Sequence, residues 1–272
     1  MGGATTKYRL QGAGARRYPG GVGACFALVL LAWGMGVGRA AAGADPAAAA
    51  RNAFGLAEAA YKSSPGTGSN AWQFARACFD LAEFASKSSE RADLAQQGIK
   101  AAQQAVAQDS KSAPPHYYLG MDLGQLARTK SLGALRLVNQ MEREFKQARE
   151  LDEHFDYAGS DRNLGLLYRD APSITSVGSR SKARQHLERA VELAPNYPEN
   201  RLCLMEAYMK WGERAEAQKQ LQSLQELWPG AQKTLTGEVW ASSWTDWDQR
   251  LKQARAKLDP PGKAPEGSRP KR

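Results

Sequence analysis

The chain has 272 residues and a formal net charge of +9. Five basic groups in residues 1–42 (Lys7, Arg9, Arg16, Arg17, Arg39) and a net +2 over residues 258–272 carry most of that excess. The body between them is close to neutral, which excludes the concentrated basic stripe that nucleic-acid binding needs. Its abundance of Ala, Leu, Gln, Glu, Lys and Arg, with few Val, Ile or Thr, excludes a strand-rich fold.

Residues 1–42 read as a signal peptide. A basic segment without acids precedes an apolar run over 24–35, and Ala40 and Ala42 suit cleavage after small residues. The run falls well short of the roughly 20 residues that span a bilayer. An uncleaved anchor, twin-arginine export through Arg16 and Arg17, and lipidation at Cys25 are the competing readings. The cysteine, however, stands at the start of the apolar run and not at its end. Cleavage near Ala42 gives a periplasmic or otherwise exported chain that meets a membrane only if the signal is retained.

Residues 43–69 contain an Ala-rich helix over 46–62 that caps the first repeat. Residues 70–229 then read as four degenerate helix–turn–helix repeats, about 70–112, 113–155, 156–197 and 198–229, whose closing positions Ser110, Glu153, Pro195 and Pro229 lie 43, 42 and 34 apart. The last spacing is that of a tetratricopeptide unit, roughly 34 residues. The first unit is carried by Trp72, Ala75 and Phe79, then Gly98, Ala102 and Ala105. His116, Leu119, Gly120 and Leu123 open the second, and Phe145 and Ala148 close it. An insertion over 130–140, helical in composition, lengthens its helices. Leu164, Gly165 and Tyr168 open the third. A long loop over 170–179, broken by Pro172 and Gly178, leads to Ala183, Leu187 and Ala190. Leu204 and Tyr208, a Trp211-Gly212-Glu213 turn, and Ala217, Leu221 and Leu224 make the fourth. No hairpin of this kind buries its apolar face alone. Stacking does so, and Gly120, Gly165 and Ala190 let neighbouring helices approach. The fold class is therefore all-α, a right-handed superhelical stack with a C-terminal capping helix over 230–257 that carries Trp240, Trp244 and Trp247 on one face. Residues 258–272 form a basic, Pro-rich tail expected to be disordered.

Catalytic chemistry is missing from the pattern. His116, His154 and His186 fall in three separate repeats, and neither zinc-binding spacing nor a nucleophile motif accompanies them. The acidic run over 150–156 reads as an inter-repeat turn, and Gly178-Ser179-Arg180-Ser181-Lys182 lacks phosphate-loop spacing. We expect no enzyme activity, cofactor or metal. Cys78 and Cys203 sit in amphipathic helices and read as buried free thiols, a disulfide being the alternative in an oxidising compartment.

Binding is the remaining function. In a stack of this kind the first helix of each repeat lines the inner face. The repeat frame turns inward Tyr117, Met121 and Gln125, then Arg162, Leu166, Arg169 and Asp170, then Leu202, Glu206, Met209 and Lys210. From these we take Tyr117, Met121, Gln125, Arg162, Arg169, Glu206 and Lys210 as a groove for a protein partner or small ligand, an ordinary solvated face being the alternative. Arg162 and Arg169, seven apart, share a helix face. Together they suit a carboxylate, or each pairs with Asp161, Asp170 or Glu206.

Tyr117-Tyr118-Leu119-Gly120, then Asn163-Leu164-Gly165-Leu166-Leu167-Tyr168 with its following loop, then Pro195-Asn196-Tyr197-Pro198-Glu199-Asn200-Arg201-Leu202 resemble bacterial tetratricopeptide proteins related to the T component of TRAP transporters, over roughly residues 70–228. The resemblance implies an exported helical protein that partners a periplasmic solute-binding subunit and channels a small, partly hydrophobic ligand. Such proteins are often lipoproteins, and the cysteine here is misplaced for that. The regulators of microtubule dynamics are a more distant resemblance, against which the export signal counts. The leading expectation is an exported, non-enzymatic scaffold for protein–protein interaction, and the alternative is an accessory component of a solute transporter.

Overall fold

A computed structural model describes residues 45–130 and 133–259. The expected signal peptide and nearly all of the Pro-rich tail lie outside the described residues. Helices α1 (Pro46–Ser63), α2 (Gly68–Ala82), α3 (Ser88–Gln108), α4 (Ala113–Ala127), α5 (Ala134–Leu151), α6 (Phe155–Asp170), α7 (Arg180–Leu193), α8 (Pro198–Lys210), α9 (Arg214–Thr234) and α10 (Ala241–Leu258) follow in order, with a 3-10 turn at Glu238–Trp240. The fold is an all-α repeat stack, and among the described residues there is no strand. No helix among them is long and apolar enough to cross a membrane.

Local sequence sets the helix starts. Asp45 caps α1 by accepting from the Ala47 amide at 3.0 Å, and Ser179 caps α7 through Lys182. Prolines stand in the first turns of α1, α4 and α8, where the missing N–H costs no helical bond. The 130–140 insertion contributes the first turns of α5, although residues 131 and 132 lie outside the described set.

Four antiparallel pairs, α2/α3, α4/α5, α6/α7 and α8/α9, pack in sequence. The first helices of the pairs also touch one another (α2 with α4, α4 with α6, α6 with α8), whereas among the described residues the second helices make no comparable contact. Crowding on one side and spacing on the other defines the inner row of a curved stack. Two glycines permit close approaches within the hairpins. A Cβ on Gly120 would lie 2.7 Å from the Phe145 ring, and one on Gly165 would lie 2.6 Å from Leu187 Cγ.

The core falls into two apolar clusters. One runs from Ala71 to Ala183, and the other gathers Leu166, Leu187 and a set of residues from Tyr197 to Leu258. At the N-terminal end Phe54 and Tyr61 of α1 lie against Phe74, with ring centroids 5.4 and 5.1 Å apart. At the other end, sequence reading stops the last repeat at Pro229 and starts the cap at 230. Helix α9 instead continues through Pro229 to Thr234, and the cap begins at the 3-10 turn. The proline removes a single backbone donor. Leu224, Ala231 and Leu235 stay buried on either side of it, so packing outweighs the lost bond. Helix α10 then packs on α8 and α9, occupying the place a fifth first helix would take. Trp247 is buried there and donates to Glu199 Oε2 at 2.7 Å, while Trp244 donates to the Leu235 carbonyl at 2.8 Å.

Candidate functional site: the inner row of first helices

The seven residues read from sequence divide into three groups. Tyr117 and Arg162 are inside the protein, 1 % and 0 % exposed, and do not face a groove. Arg162 donates to Asp156 Oδ2 at 2.6 Å, Asn200 Oδ1 at 2.9 Å and the Asp156 carbonyl at 3.2 Å. The Tyr117 hydroxyl donates to the same Asp156 carboxylate at 2.5 Å and accepts from Asn163 at 3.0 Å. Burial alone would push the Arg162 guanidinium down, but Tyr117 and Asp156 beside it hold it well above its usual value. The Tyr117 hydroxyl is pushed well up by burial and by Asp156. This correction has a physical reason. A guanidinium enters a core only when carboxylate and carbonyl acceptors are waiting for it. The sequence frame places Arg162 by periodicity, which carries no sign of those acceptors.

The acceptors come from an unusual turn. Asp156, Tyr157 and Ala158, none of them glycine, have φ of 52, 55 and 62°. Left-handed backbone of this kind costs about 1–2 kcal/mol per residue. Arg162 and Asn200 bind the Tyr157 carbonyl at 3.4 and 2.9 Å and so hold the turn. Asn200 also donates to the Ala190 carbonyl at 2.9 Å, tying α6, α7 and α8 together.

Met121 and Gln125 form the second group. Both are buried and line a small void of about 10 Å³ with Phe79, Glu83, Arg128, Met141 and Phe145. That is room for about one water, far below the ~300 Å³ of a small-molecule site. Gln125 donates to Glu83, which also accepts from Arg128 at 3.0 Å.

Arg169, Glu206 and Lys210 make the third group, with side chains 6, 28 and 55 % exposed, so Lys210 opens to solvent and Arg169 is almost wholly covered. Arg169 grips Asp170 through two bonds of 2.9 and 2.7 Å, and Lys210 reaches the same carboxylate at 2.8 Å. Glu206 accepts from Arg250 at 2.7 and 3.1 Å. Arg162 and Arg169 therefore do not converge on one carboxylate. Ion pairs instead bridge successive first helices. Glu83, just past the end of α2, meets Arg128, just past the end of α4. Asp170 of α6 meets Lys210 of α8, and Glu206 of α8 meets Arg250 of α10.

Sequence reading missed Asp156, Asn200, Glu199 and Arg250. Glu199 is 1 % exposed. Burial would raise its carboxyl, but Arg250 and then Arg162 pull it below the usual range. It also missed an edge cleft of about 570 Å³ between the α7–α8 turn and the α9–α10 connection, lined by Tyr157, Pro195, Tyr197, Leu235, Val239 and Trp240. The Tyr157 and Tyr197 rings stack there at 4.3 Å. No periodicity signals residues whose roles depend on turns. Cys78 and Cys203 are buried thiols, and neither is in a disulfide. Among the described residues no group of three or more His, Cys, Asp or Glu side chains is placed to hold a metal ion.

The helix pairing, the glycine seams and the inner row define a tetratricopeptide-like helical repeat protein. The chain is similar to the solved thermophilic TPR protein TTC0263 of Thermus thermophilus, with a TM-score of 0.58 and 21% identity over 75% of this chain and 90% of that one. It is also similar to MamA, with a TM-score of 0.47 and 18% identity over 66% of this chain and 90% of that one. The family model described as Regulator of microtubule dynamics protein 1-3 matches residues 42–158, from before α1 to the start of α6. No curated protein matches the chain. Resemblance to the T component of TRAP transporters finds no support among these matches. The matching family is the one that the sequence motifs placed second.

Proposed function

We propose that the protein is a non-enzymatic scaffold that binds an extended segment of a partner protein along its inner row. The observation that carries this reading is the line of ion pairs between successive first helices: Glu83 with Arg128, Asp170 with Lys210, Glu206 with Arg250. Lys210, 55 % exposed, is the open end of this line, while the carboxylates that it and Arg128 meet are only partly exposed. A charged segment lying across the line can exchange partners with it and gain register from the alternation of sign. Glu206 and Lys210 are the contacts retained from the sequence-derived groove, and Arg169 is nearly covered. Tyr117 and Arg162 hold the wall beneath it, and Met121 and Gln125 fill its floor. In this reading residues 1–42 export the chain, and the partner is met outside the cytoplasm.

Site-specific photo-crosslinking tests the reading. A photoreactive residue at position 128 or 210 should capture the partner from a native extract, and one at position 189 on outer helix α7 should not. Capture at 189 alone would move the interface to the outer face. Capture of a solute-binding protein at 128 or 210 would favour the transporter-accessory form of the same scaffold.

The family match over residues 42–158 favours a second reading, that the partner belongs to the microtubule system. Co-sedimentation of the full chain with polymerised tubulin tests it. Retention in the supernatant at micromolar tubulin would remove it.

A further inference from the structure

Asp122 of α4 is 0 % exposed, and neither of its carboxylate oxygens has a hydrogen-bond partner among the described residues. It faces α3 at Gly98, where a Cβ would lie 2.2 Å from Oδ2, so glycine is what makes room for the carboxyl group. From α2 it is approached by Asp80 and by the Cys78 thiol, which is itself buried. Asp80 has one oxygen without a partner and the other 3.5 Å from Arg76. The charge of Asp80, which weighs on Asp122, is thus of its own sign, and Gly98 of α3 brings no side chain to pair with it. Near α4's other neighbours the charges are already engaged: Glu144 of α5 with His116, and Asp156 of α6 with Arg162.

We propose that Asp122 is a proton-operated latch on the seam between α3 and α4: neutral, it is tolerated there, and ionised, it favours opening of the seam and exposure of Cys78. Ionisation of an unpaired carboxyl in a dry site costs far more than ionisation in water. The surroundings agree, because burial and then Asp80 push the Asp122 carboxyl well above its usual range. The sign follows directly. The native carboxyl binds its proton more tightly than the unfolded one. The seam's stability is therefore complete below the unfolded value of about 3.9, declines as pH rises above it, and is lost once pH passes the raised native value.

The test is thiol labelling of the full-length chain between pH 4.5 and 8 in sub-denaturing urea, with the modified cysteines resolved by peptide mass spectrometry. The ratio of Cys78 to Cys203 labelling cancels the ordinary pH dependence of thiol chemistry. It should rise about tenfold for each pH unit between the unfolded and native values of Asp122. In Asp122→Asn the ratio should stay flat. A flat ratio in the unsubstituted chain overturns the proposal without any variant. So does an equal rise in Asp122→Asn, which would assign the opening to another group.

Discussion

Replacing Arg162 with methionine tests whether the buried polar knot holds the third repeat to its neighbours. Methionine keeps an unbranched apolar stem and removes the guanidinium. The Asp156 carboxylate, 4 % exposed in its side chain, would keep the Tyr117 hydroxyl at 2.5 Å and lose the Arg162 contact at 2.6 Å. Asn200 Oδ1 and the Asp156 and Tyr157 carbonyls would lose their donor as well. Leaving one member of a buried pair uncompensated costs about 3–5 kcal/mol. Urea unfolding followed by tryptophan fluorescence should show that loss in Arg162→Met. Because the two groups share one contact, Asp156→Asn with Arg162→Met should cost about 1–3 kcal/mol less than the sum of the single changes. A single-variant loss below about 1 kcal/mol, or strict additivity, would refute the claim that this pair holds the left-handed turn.

Three further expectations rest on other contacts. Gly165→Ala places a Cβ 2.6 Å from Leu187 Cγ and 3.1 Å from the Leu187 backbone nitrogen, so it should cost about 1–3 kcal/mol, read as a lowered urea midpoint. Lys210→Ala removes a surface ion to Asp170 that Arg169 still holds, and should change stability by less than about 1 kcal/mol while weakening partner capture. Glu199 has a depressed native carboxyl, so its contribution is present above the unfolded value and is lost as pH falls through the native one. Glu199→Gln should flatten that acid limb in thermal unfolding between pH 2.5 and 6, and an unchanged limb would assign it elsewhere.

The repeats were legible in the sequence because they rest on local chemistry. Small residues at Gly120 and Gly165 and aromatics at Tyr168 and Tyr208 recur at helical spacing, and prolines mark helix starts. The inner-row assignment was legible only for side chains that stay at the surface. Glu206 and Lys210 keep partly exposed side chains, whereas Arg169 is nearly covered and Arg162 is interior. Its position depends on acceptors from Asp156, Tyr157 and Asn200, the last 38 residues away. The turn over 156–158 left no trace at all, since Asp, Tyr and Ala begin an ordinary helix as readily. Pro229 misled in the opposite direction. Its local signal to stop was overruled by the burial of Ala231 and Leu235.

The buried polar groups also answer a problem that repetition creates. Hairpins with similar apolar faces can slide or exchange, because Leu against Ala looks alike at every seam. Here each later seam carries a different polar fastening. Asp161 accepts from Arg149 at 3.0 Å and is paired with His186 at 2.6 Å where α5, α6 and α7 meet. The Asp156 knot joins α4 to α6 and α8, and Glu199 joins α8 to α10. A slip by one repeat would leave each of these carboxylates buried without its cation, at a cost of several kcal/mol apiece. Order along the stack is therefore specified by charge, while cohesion comes from apolar burial. Asp122 is the exception that makes the pattern informative. It occupies the same kind of seam, but among the described residues neither of its oxygens has a hydrogen-bond partner, so this is the seam that a change of protonation can loosen.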